Sequence, residues 1–359
     1  MLIGGINIVF FCYSKVLFGK SKEPFYITSN NSRADIGGDE MADKYTVVII
    51  KPEEKDKLLG EFSKKQLVDR KAFIHGMCIE LLTDTKDFKE MWEDNFYYMS
   101  DDVRPHGRIV AVMDQKDKTF RVLYEPVSKT CFIINTDYYG WVKSIALAIA
   151  GDFLEEYVSI HSRFSIHGSC IDFSGRGIAM IAPSGTGKTT HSFGLLFAPN
   201  AKLVSDDWFF VKLAKGDVIA YASEKNSYIR DDISAVWKVF EPLVKNTKLD
   251  NKGRGVANIE DALGGYKRRS TTVIKKVIIL KRDPKDKSII KKLTVKEAMN
   301  YLIANNYCNP HQLVNDERKK KLRENFFKSM LEKTEVHMVN TTKAIPVTHH
   351  EILKLVKGL

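Results

Sequence analysis

Cysteine is scarce in this chain: its 359 residues include only Cys12, Cys78, Cys131, Cys170 and Cys308, and no two form a C-x-x-C pair. That scatter excludes a disulfide framework and offers no zinc-ligand spacing, so a reducing cytoplasm is the expected setting. Long apolar runs are also lacking. The tract Leu2 to Phe18 is broken by Lys15, has no charged leading segment and gives way to polar residues from Ser21 to Asp39. It makes a poor signal peptide and is short for a membrane span, so no membrane partner is expected. Residues 1–40 read as a disordered leader or start-site extension, with Met41 opening directly onto a strand at Thr46–Ile50. The aromatic clusters, Tyr97-Tyr98 and Tyr138-Tyr139 among them, have no interleaved basic residues. They read as core or interface and not as a base-stacking platform, and no nucleic acid partner is expected.

What is present suits a globular chain of two domains: 44% of residues are hydrophobic, 28% are charged, and the net charge is +11. An acidic partner would suit that charge, and nucleotide phosphates alone satisfy it. Self-association is left open. Residues 41–158 read as a smaller α/β domain. Its expected elements are a strand at Phe73–Leu82, a helix capped by Thr85, a three-strand meander (Arg108–Met113, Phe120–Glu125, Lys129–Asn135) and a long helix from Tyr138 to Ile160. In that helix Lys143, Asp152 and two glutamates argue against a bilayer.

A second domain, residues 159–285, opens with a strand at Arg163–Phe173. It continues through Ile178-Ala-Met-Ile-Ala-Pro-Ser-Gly-Thr-Gly-Lys-Thr-Thr190, a buried strand, a glycine turn and the start of a helix. This matches the phosphate-loop pattern G-x-x-x-x-G-K-[ST] except that Ala182 replaces the first glycine. Small residues at Ser184, Gly185 and Gly187 let backbone N–H groups turn onto an anion at a helix N-terminus. Residues Pro183, Ser184, Gly185, Thr186, Gly187, Lys188, Thr189 and Thr190 are the expected nucleotide contacts. Lys188, its side chain facing solvent, would reach the β- and γ-phosphates, and the Thr189 hydroxyl would ligate Mg²⁺. An apolar strand, Lys202 to Ser205, then ends at Asp206-Asp207, where such folds place the carboxylates that hold Mg²⁺ and orient the attacking group. Adjacent strand residues point to opposite faces, so both can act only if the strand ends at the pair.

His167-Gly168, the loop Ala182–Thr190 and Leu203-Val-Ser-Asp-Asp207 together resemble the catalytic domain of the bacterial HPr kinase/phosphorylase family, which shares its nucleotide-binding core with phosphoenolpyruvate carboxykinase. The resemblance covers about residues 159–212 with specific motifs and extends loosely to 283. It implies an α/β fold with a P-loop kinase core, ATP and Mg²⁺ as cofactors, and phosphoryl transfer to a hydroxyl, a serine of a protein or of a serine-like small molecule. It gives phosphate binding to Lys188 and metal and acceptor duties to Asp206 and Asp207, assigned here in that order, and places His167 beside the γ-phosphate. The family's downstream glycine-rich signature has no clear copy between Tyr221 and Asp261, which leaves the acceptor open. Two other readings stand beside the kinase: a nucleotide sensor that transfers nothing, and a carboxykinase-like enzyme.

Downstream, Phe209–Leu213 and Asp217–Ala222 read as a hairpin about Lys215-Gly216. Glu224 and Arg230 follow it, and Arg230 is a candidate anion clamp or else a surface salt bridge. Asn246 to Gly265 is expected to be a mobile lid, Lys267-Arg268-Arg269 a solvated basic turn, and Lys275–Leu280 a closing strand. Residues 286–359 are expected to be helical. Thr294-Val-Lys-Glu297 forms a capping box, a helix spans Asp316–Lys333, and a last helix starts at Thr348 with His349-His350 on its surface.

Overall fold

The computed structural model describes residues 45–357, so the expected leader at 1–40 and the start at Met41 lie outside the described residues. The described chain is mixed α/β and is organised on two large sheets. The first contains β1 (Val47–Ile49), β2 (Val68–Ile74), β3 (Met77–Thr83), β4 (Tyr97–Tyr98), β5 (Gly107–Val112), β6 (Arg121–Glu125) and β7 (Thr130–Ile134), in the order β1-β6-β7-β5-β3-β2-β4. Helix α1 (Pro52–Phe62) covers one face; α2 (Lys86–Asn95) and α3 (Tyr139–Glu156) cover the other. A short α4 (Val158–His161) follows α3, so the expected long helix breaks at Tyr157.

Two expectations for this half are corrected. Phe73–Leu82 is not one strand, because His75 and Gly76 adopt positive φ, 49° and 85°, and fold β2 back on β3 as a two-residue hairpin loop. The three later strands are not a meander either: β6 pairs antiparallel with β7, but β7 pairs parallel with β5. The reason is local. The Glu125 carboxylate accepts from the N–H groups of Val127 and Ser128 at 2.7 and 2.8 Å and closes a tight β6–β7 turn, whereas the longer segment from β5 to β6, with its own turns at Asp114 and Asp117, carries the chain past the position that β7 fills.

The second sheet contains β8 (Arg163–Phe173), β9 (Arg176–Ile181), β10 (Ala201–Ser205), β11 (Trp208–Leu213) and β12 (Val218–Ala222). Helix α5 (Lys188–Leu195) follows β9. After β12, a small antiparallel pair, β13 (Ser227–Arg230) and β14 (Arg254–Ala257), brackets α6 (Ile233–Val236) and α7 (Glu241–Asn246), and α8 (Glu260–Leu263) comes next. The region expected to be a mobile lid therefore carries a paired strand and a helical turn. The large sheet resumes with β15 (Thr271–Lys281), β16 (Ile290–Lys292) and β17 (Glu335–Asn340); α9 (Val295–Ala304), α10 (Glu317–Leu331) and α11 (Ile345–Val356) complete the chain. The C-terminal region is thus not only helical: β17 pairs parallel with β15 inside the same sheet.

Strand β9 lies between β8 and β15, and its residues Gly177 to Ile181 are all buried, which explains an unbroken apolar run where an amphipathic strand would alternate. Helices α9 and α10 pack on one face of this sheet, and α5 and α11 on the other. Trp208 and Phe210 of β11 join the core beneath α3, so the two sheets share a hydrophobic cluster. Charge reinforces that seam. Asp152 of α3 receives hydrogen bonds from Tyr124, Lys129 and Lys319, and Glu155 pairs with Arg323 through both carboxylate oxygens at 2.8 Å. Among the described residues, no helix is long and apolar enough to cross a membrane.

Candidate functional site

The site forms where β9, β10 and β8 reach the seam. Between β9 and α5 the chain makes a tight loop in which Gly185 and Gly187 have φ of 74° and 98°. Gly187 is the residue before the helix, and a left-handed conformation there favours glycine. The Thr186 hydroxyl donates to the Pro183 carbonyl at 2.7 Å and ties the loop across its base. Trp237 holds the other side by donating its indole N–H to the Thr190 carbonyl at 2.9 Å. The loop is thus preorganised, with the N-terminal N–H groups of α5 left over for an anion.

Lys188 is not extended into solvent as expected. It is buried, and its ammonium donates to the Ala182 carbonyl at 2.9 Å, returning over the loop from which it starts. Burial lowers its pKa, and the Asp207 and Asp206 carboxylates pull it back up. A phosphate at the loop would offer the ammonium a better acceptor than a carbonyl.

Strands β10 and β11 both pair with β8 and read as one strand interrupted at Asp206-Asp207. The interruption is built in. The hydroxyls of Ser205 and Ser223 both donate to the Trp208 carbonyl, and the Gly168 N–H donates to the Asp207 carbonyl at 2.9 Å. A side chain on Gly168 would lie 2.6 Å from the Met180 carbonyl of β9, so only glycine lets the strands close here. This kink frees the two aspartates from strict alternation.

Their environments are opposite. Asp206 is buried, and neither carboxylate oxygen has a hydrogen-bond partner. Burial and the Asp207 charge push its pKa up to about 7, with Lys143 and the nearby Thr189 hydroxyl acting against them. Asp207 is 33% exposed and doubly held: Oδ2 accepts from Lys143 at 2.7 Å, and Oδ1 lies 3.2 Å from Nε2 of His167. Although burial raises its pKa, Lys143, His167 and Lys188 outweigh burial and hold it well below the ordinary carboxylate range.

His167 faces an acceptor on each ring nitrogen, because its Nδ1 lies 2.6 Å from the Cys308 carbonyl. A neutral ring donates to only one of the two, and a second proton or a donor hydroxyl is needed to satisfy both. Burial and the Lys188 charge lower its pKa while Asp207 raises it. The Cys308 carbonyl is aimed by a run of three non-glycine residues in the left-handed region, Asn306, Tyr307 and Cys308, with φ of 49°, 53° and 55°. Such strain concentrates at functional sites.

His167, Lys188, Thr189, Asp206 and Asp207 are therefore brought together, alongside the rest of the Pro183–Thr190 loop. Arg230 is exposed at the end of β13 and pairs with Asp232 at 3.2 Å, as a surface salt bridge would. Two residues that the motifs did not flag complete the site. Lys143 of α3 is 1% exposed and bridges Asp207 to Glu224, the latter at 3.3 Å, while Asn95 of α2 donates to the same Glu224 at 3.0 Å. The signal for Lys143 was a lone charge in the stretch Tyr139 to Gly151 of α3.

Two further expectations are overturned nearby. The 267–269 segment is not a solvated turn: Lys267 donates to the carbonyls of Leu196 and Ala198, and Arg268 to that of Glu224. His349 is buried and stacks on His191 at 5.7 Å, because α11 starts at Ile345, with Pro346 in its first turn, and turns His349 inward.

Among the described residues, no cluster of three or more His, Cys, Asp or Glu side chains could hold a metal. No protein-family model matches the chain, and no curated protein matches it significantly.

Proposed function

We propose that the chain is an ATP- and Mg²⁺-dependent phosphotransferase acting on a hydroxyl acceptor, with a P-loop kinase core of the kind found in HPr kinase and phosphoenolpyruvate carboxykinase. The observation that carries this reading is Asp206: a buried carboxylate with two unpartnered oxygens, beside the hydroxyl of Thr189 and next to the glycine loop. A buried carboxylate without a partner is costly and calls for a ligand. One carboxylate, one hydroxyl and substrate phosphate oxygens suit Mg²⁺, which is rarely held by an all-protein cage. Asp206 and Thr189 would hold the ion, and when bound it supplies charge neutralisation to the phosphates.

The remaining roles follow from the side chains. The loop N–H groups bind phosphate oxygens, and Lys188 swings from the Ala182 carbonyl to them. Asp207, partly exposed and kept ionised, accepts a hydrogen bond from the acceptor hydroxyl. A carboxylate with so low a pKa is a weak base, so it orients the hydroxyl and does not strip its proton early. That suits a loose phosphoryl-transfer transition state, in which positioning outweighs proton abstraction. His167, placed between Asp207 Oδ1 and the Cys308 carbonyl, fixes the Asp207 carboxylate, which itself receives the hydroxyl proton late, as the new P–O bond forms.

The test is incubation with γ-labelled ATP and cell extract, followed by mass spectrometry of any labelled acceptor. The expected result is label in an acceptor, reduced about a hundredfold or more in Asp206→Asn. Tight ATP binding without label in any protein or metabolite would establish a sensor instead.

A further inference from the structure

The end of α2 and the short strand β4 bring four aromatic side chains together, Trp92, Phe96, Tyr97 and Tyr98. Trp92 and Phe96 are buried, but Tyr97 and Tyr98 are 57% and 67% exposed, so the stretch is more than core. A cavity of about 220 Å³ lies between these side chains and β2. That is below the about 300–1,000 Å³ of sites for drug-sized ligands, and it suits a single ring with a small substituent.

Arg70 of β2 stands at the cavity with part of its donor set in use. Nε donates to a Glu93 carboxylate oxygen and Nη1 to the Asp69 carbonyl at 2.7 Å, while Nη2 makes no hydrogen bond among the described residues. Glu93 also faces Lys89 at 3.3 Å, so two cations share one carboxylate and the wall keeps a positive charge. Lys71 and Asp101, which line the cavity too, offset one another in charge. Trp92 adds a second spare donor, since its buried indole N–H has no acceptor among the described residues. A guanidinium and an indole can only donate, so together they call for an anionic oxygen, while the aromatic walls call for a flat apolar body. An aromatic carboxylate has both.

The cavity is backed by a turn on which the aspartate pair depends. The last carbonyls of a helix have no partner inside it, and in α2 the segment after β12 supplies the donors. The Glu93 carbonyl accepts from the Lys225 ammonium at 3.3 Å, the Asp94 carbonyl from the Asn226 amide at 2.8 Å and the Asn95 carbonyl from the Lys225 N–H at 2.8 Å. From the same turn the Asn95 side chain donates to Glu224, which shares Lys143 with Asp207. Glu93 and Phe96, at the cavity, flank Asn95 in the chain.

We propose that this cavity is an effector site for a small aromatic carboxylate, with its oxygens on Arg70 and Trp92 and its ring against Phe96 and Tyr98. The bound carboxylate competes with Glu93 for Arg70, shifts the last turn of α2 and loosens the hold of Asn95 on Glu224, so that Lys143 no longer fixes Asp207 and transfer slows. This coupling rests on the phosphotransferase reading; the site does not.

The site is tested by titrating benzoate against the full chain without nucleotide, followed by ligand-observed NMR, in wild type and R70M. The expected result is saturable binding to wild type that weakens about tenfold or more in R70M, and equally when benzyl alcohol, which keeps the ring and lacks the charge, replaces benzoate. No saturable binding to wild type, or equal binding to R70M, would overturn the site. If R70M does not fold, Y98A, at an exposed position, carries the same comparison, and benzoate should again weaken. The coupling is read as label transfer from γ-labelled ATP with and without saturating benzoate. A fall of about fivefold or more in wild type, absent in R70M, supports it, and an unchanged or raised rate in wild type overturns it. Wild type that binds benzoate but transfers no label would refute the phosphotransferase reading, and the coupling with it, and leave the site standing.

Discussion

Replacing Lys143 with methionine probes the seam most directly, because the side chain keeps its length and loses only its charge. Lys143 faces Asp207 at 2.7 Å and Glu224 at 3.3 Å; at an effective dielectric of about 20, these contacts correspond to attractions of about 6 and about 5 kcal/mol. Most of that offsets the cost of placing an ammonium where it is 1% exposed, so the net value of the triad is far smaller than the sum. What the substitution reveals is the cost of leaving partners behind. Asp207, a third exposed, recovers solvation, but Glu224 at 5% exposure does not. The expected loss is therefore about 3 kcal/mol, the lower end of what a broken buried pair costs.

Urea denaturation followed by tryptophan fluorescence reads this as a fall in the unfolding midpoint at unchanged slope. The Glu224→Gln change supplies the control. In the methionine background it removes the stranded carboxylate and should restore about 1 kcal/mol or more, whereas in wild type it destabilises. A K143M variant with the wild-type midpoint, or a double variant that simply adds the two single losses, would show that Lys143 is not held by these carboxylates and that the seam is not electrostatically coupled.

Asp152→Asn should cost about 3–5 kcal/mol, because it strands Lys129 and Lys319 in the buried junction between α3 and α10; the readout is again the urea midpoint. The same group sets an acid limit. Burial raises the Asp152 pKa, but Lys319 and Lys129 outweigh burial and lower it, so its contribution is complete above the unfolded value of about 3.9 and is lost as pH falls below it through the folded value. Wild-type stability should therefore drop below about pH 4 more steeply than that of the asparagine variant, and parallel curves would refute the assignment. Gly168→Ala should destabilise by about 1–3 kcal/mol, since the new methyl meets the backbone carbonyl of Met180 at 2.6 Å; an unchanged melting temperature would mean β8 and β9 separate freely there. At exposed Asn306, with φ of 49°, valine should lower the melting temperature while glycine should not, and the reverse order would show that the left-handed turn is not enforced.

Much of the second sheet was legible because its signals are local. Strand β8 was bounded correctly from its apolar run and flanking turn, the capping box at Thr294–Glu297 forms as expected, and the hairpin about Lys215-Gly216 turns on a glycine with φ of 84°. The errors have one cause, which is that pairing partners are not written next to one another. Strand β17 was missed because a six-residue run between two helices means little until β15 lies alongside it. His75-Gly76 was missed because an apolar run on both sides masks a turn that only the two φ angles reveal. The aspartates, the loop and His167 were legible as a motif. Lys143 and the Cys308 carbonyl were not, since each contacts Asp207 or His167 from a distant part of the chain.

The polar groups gathered at the aspartate pair come from every third of the described chain: Asn95 and Lys143 from the helices of the first sheet, His167, Asp206, Asp207, Glu224 and Arg268 from the second, and the Cys308 carbonyl from the turn after α9. A motif-bearing segment alone would hold the loop and the aspartates but not the groups that set their charge states. Asp207 stays ionised through a lysine sixty-four positions earlier, and His167 keeps its orientation through a carbonyl 141 positions later. The difference between Asp206 and Asp207 thus depends on closure of the two sheets on each other. In the loop segment taken by itself they are equivalent neighbours; in the folded chain Asp206 is buried without a hydrogen-bond partner and Asp207 is fixed and held ionised. Opening the seam would expose Asp206 to water and release Asp207 from Lys143, making the two carboxylates alike again and removing the asymmetry on which the proposed division between metal binding and acceptor orientation rests.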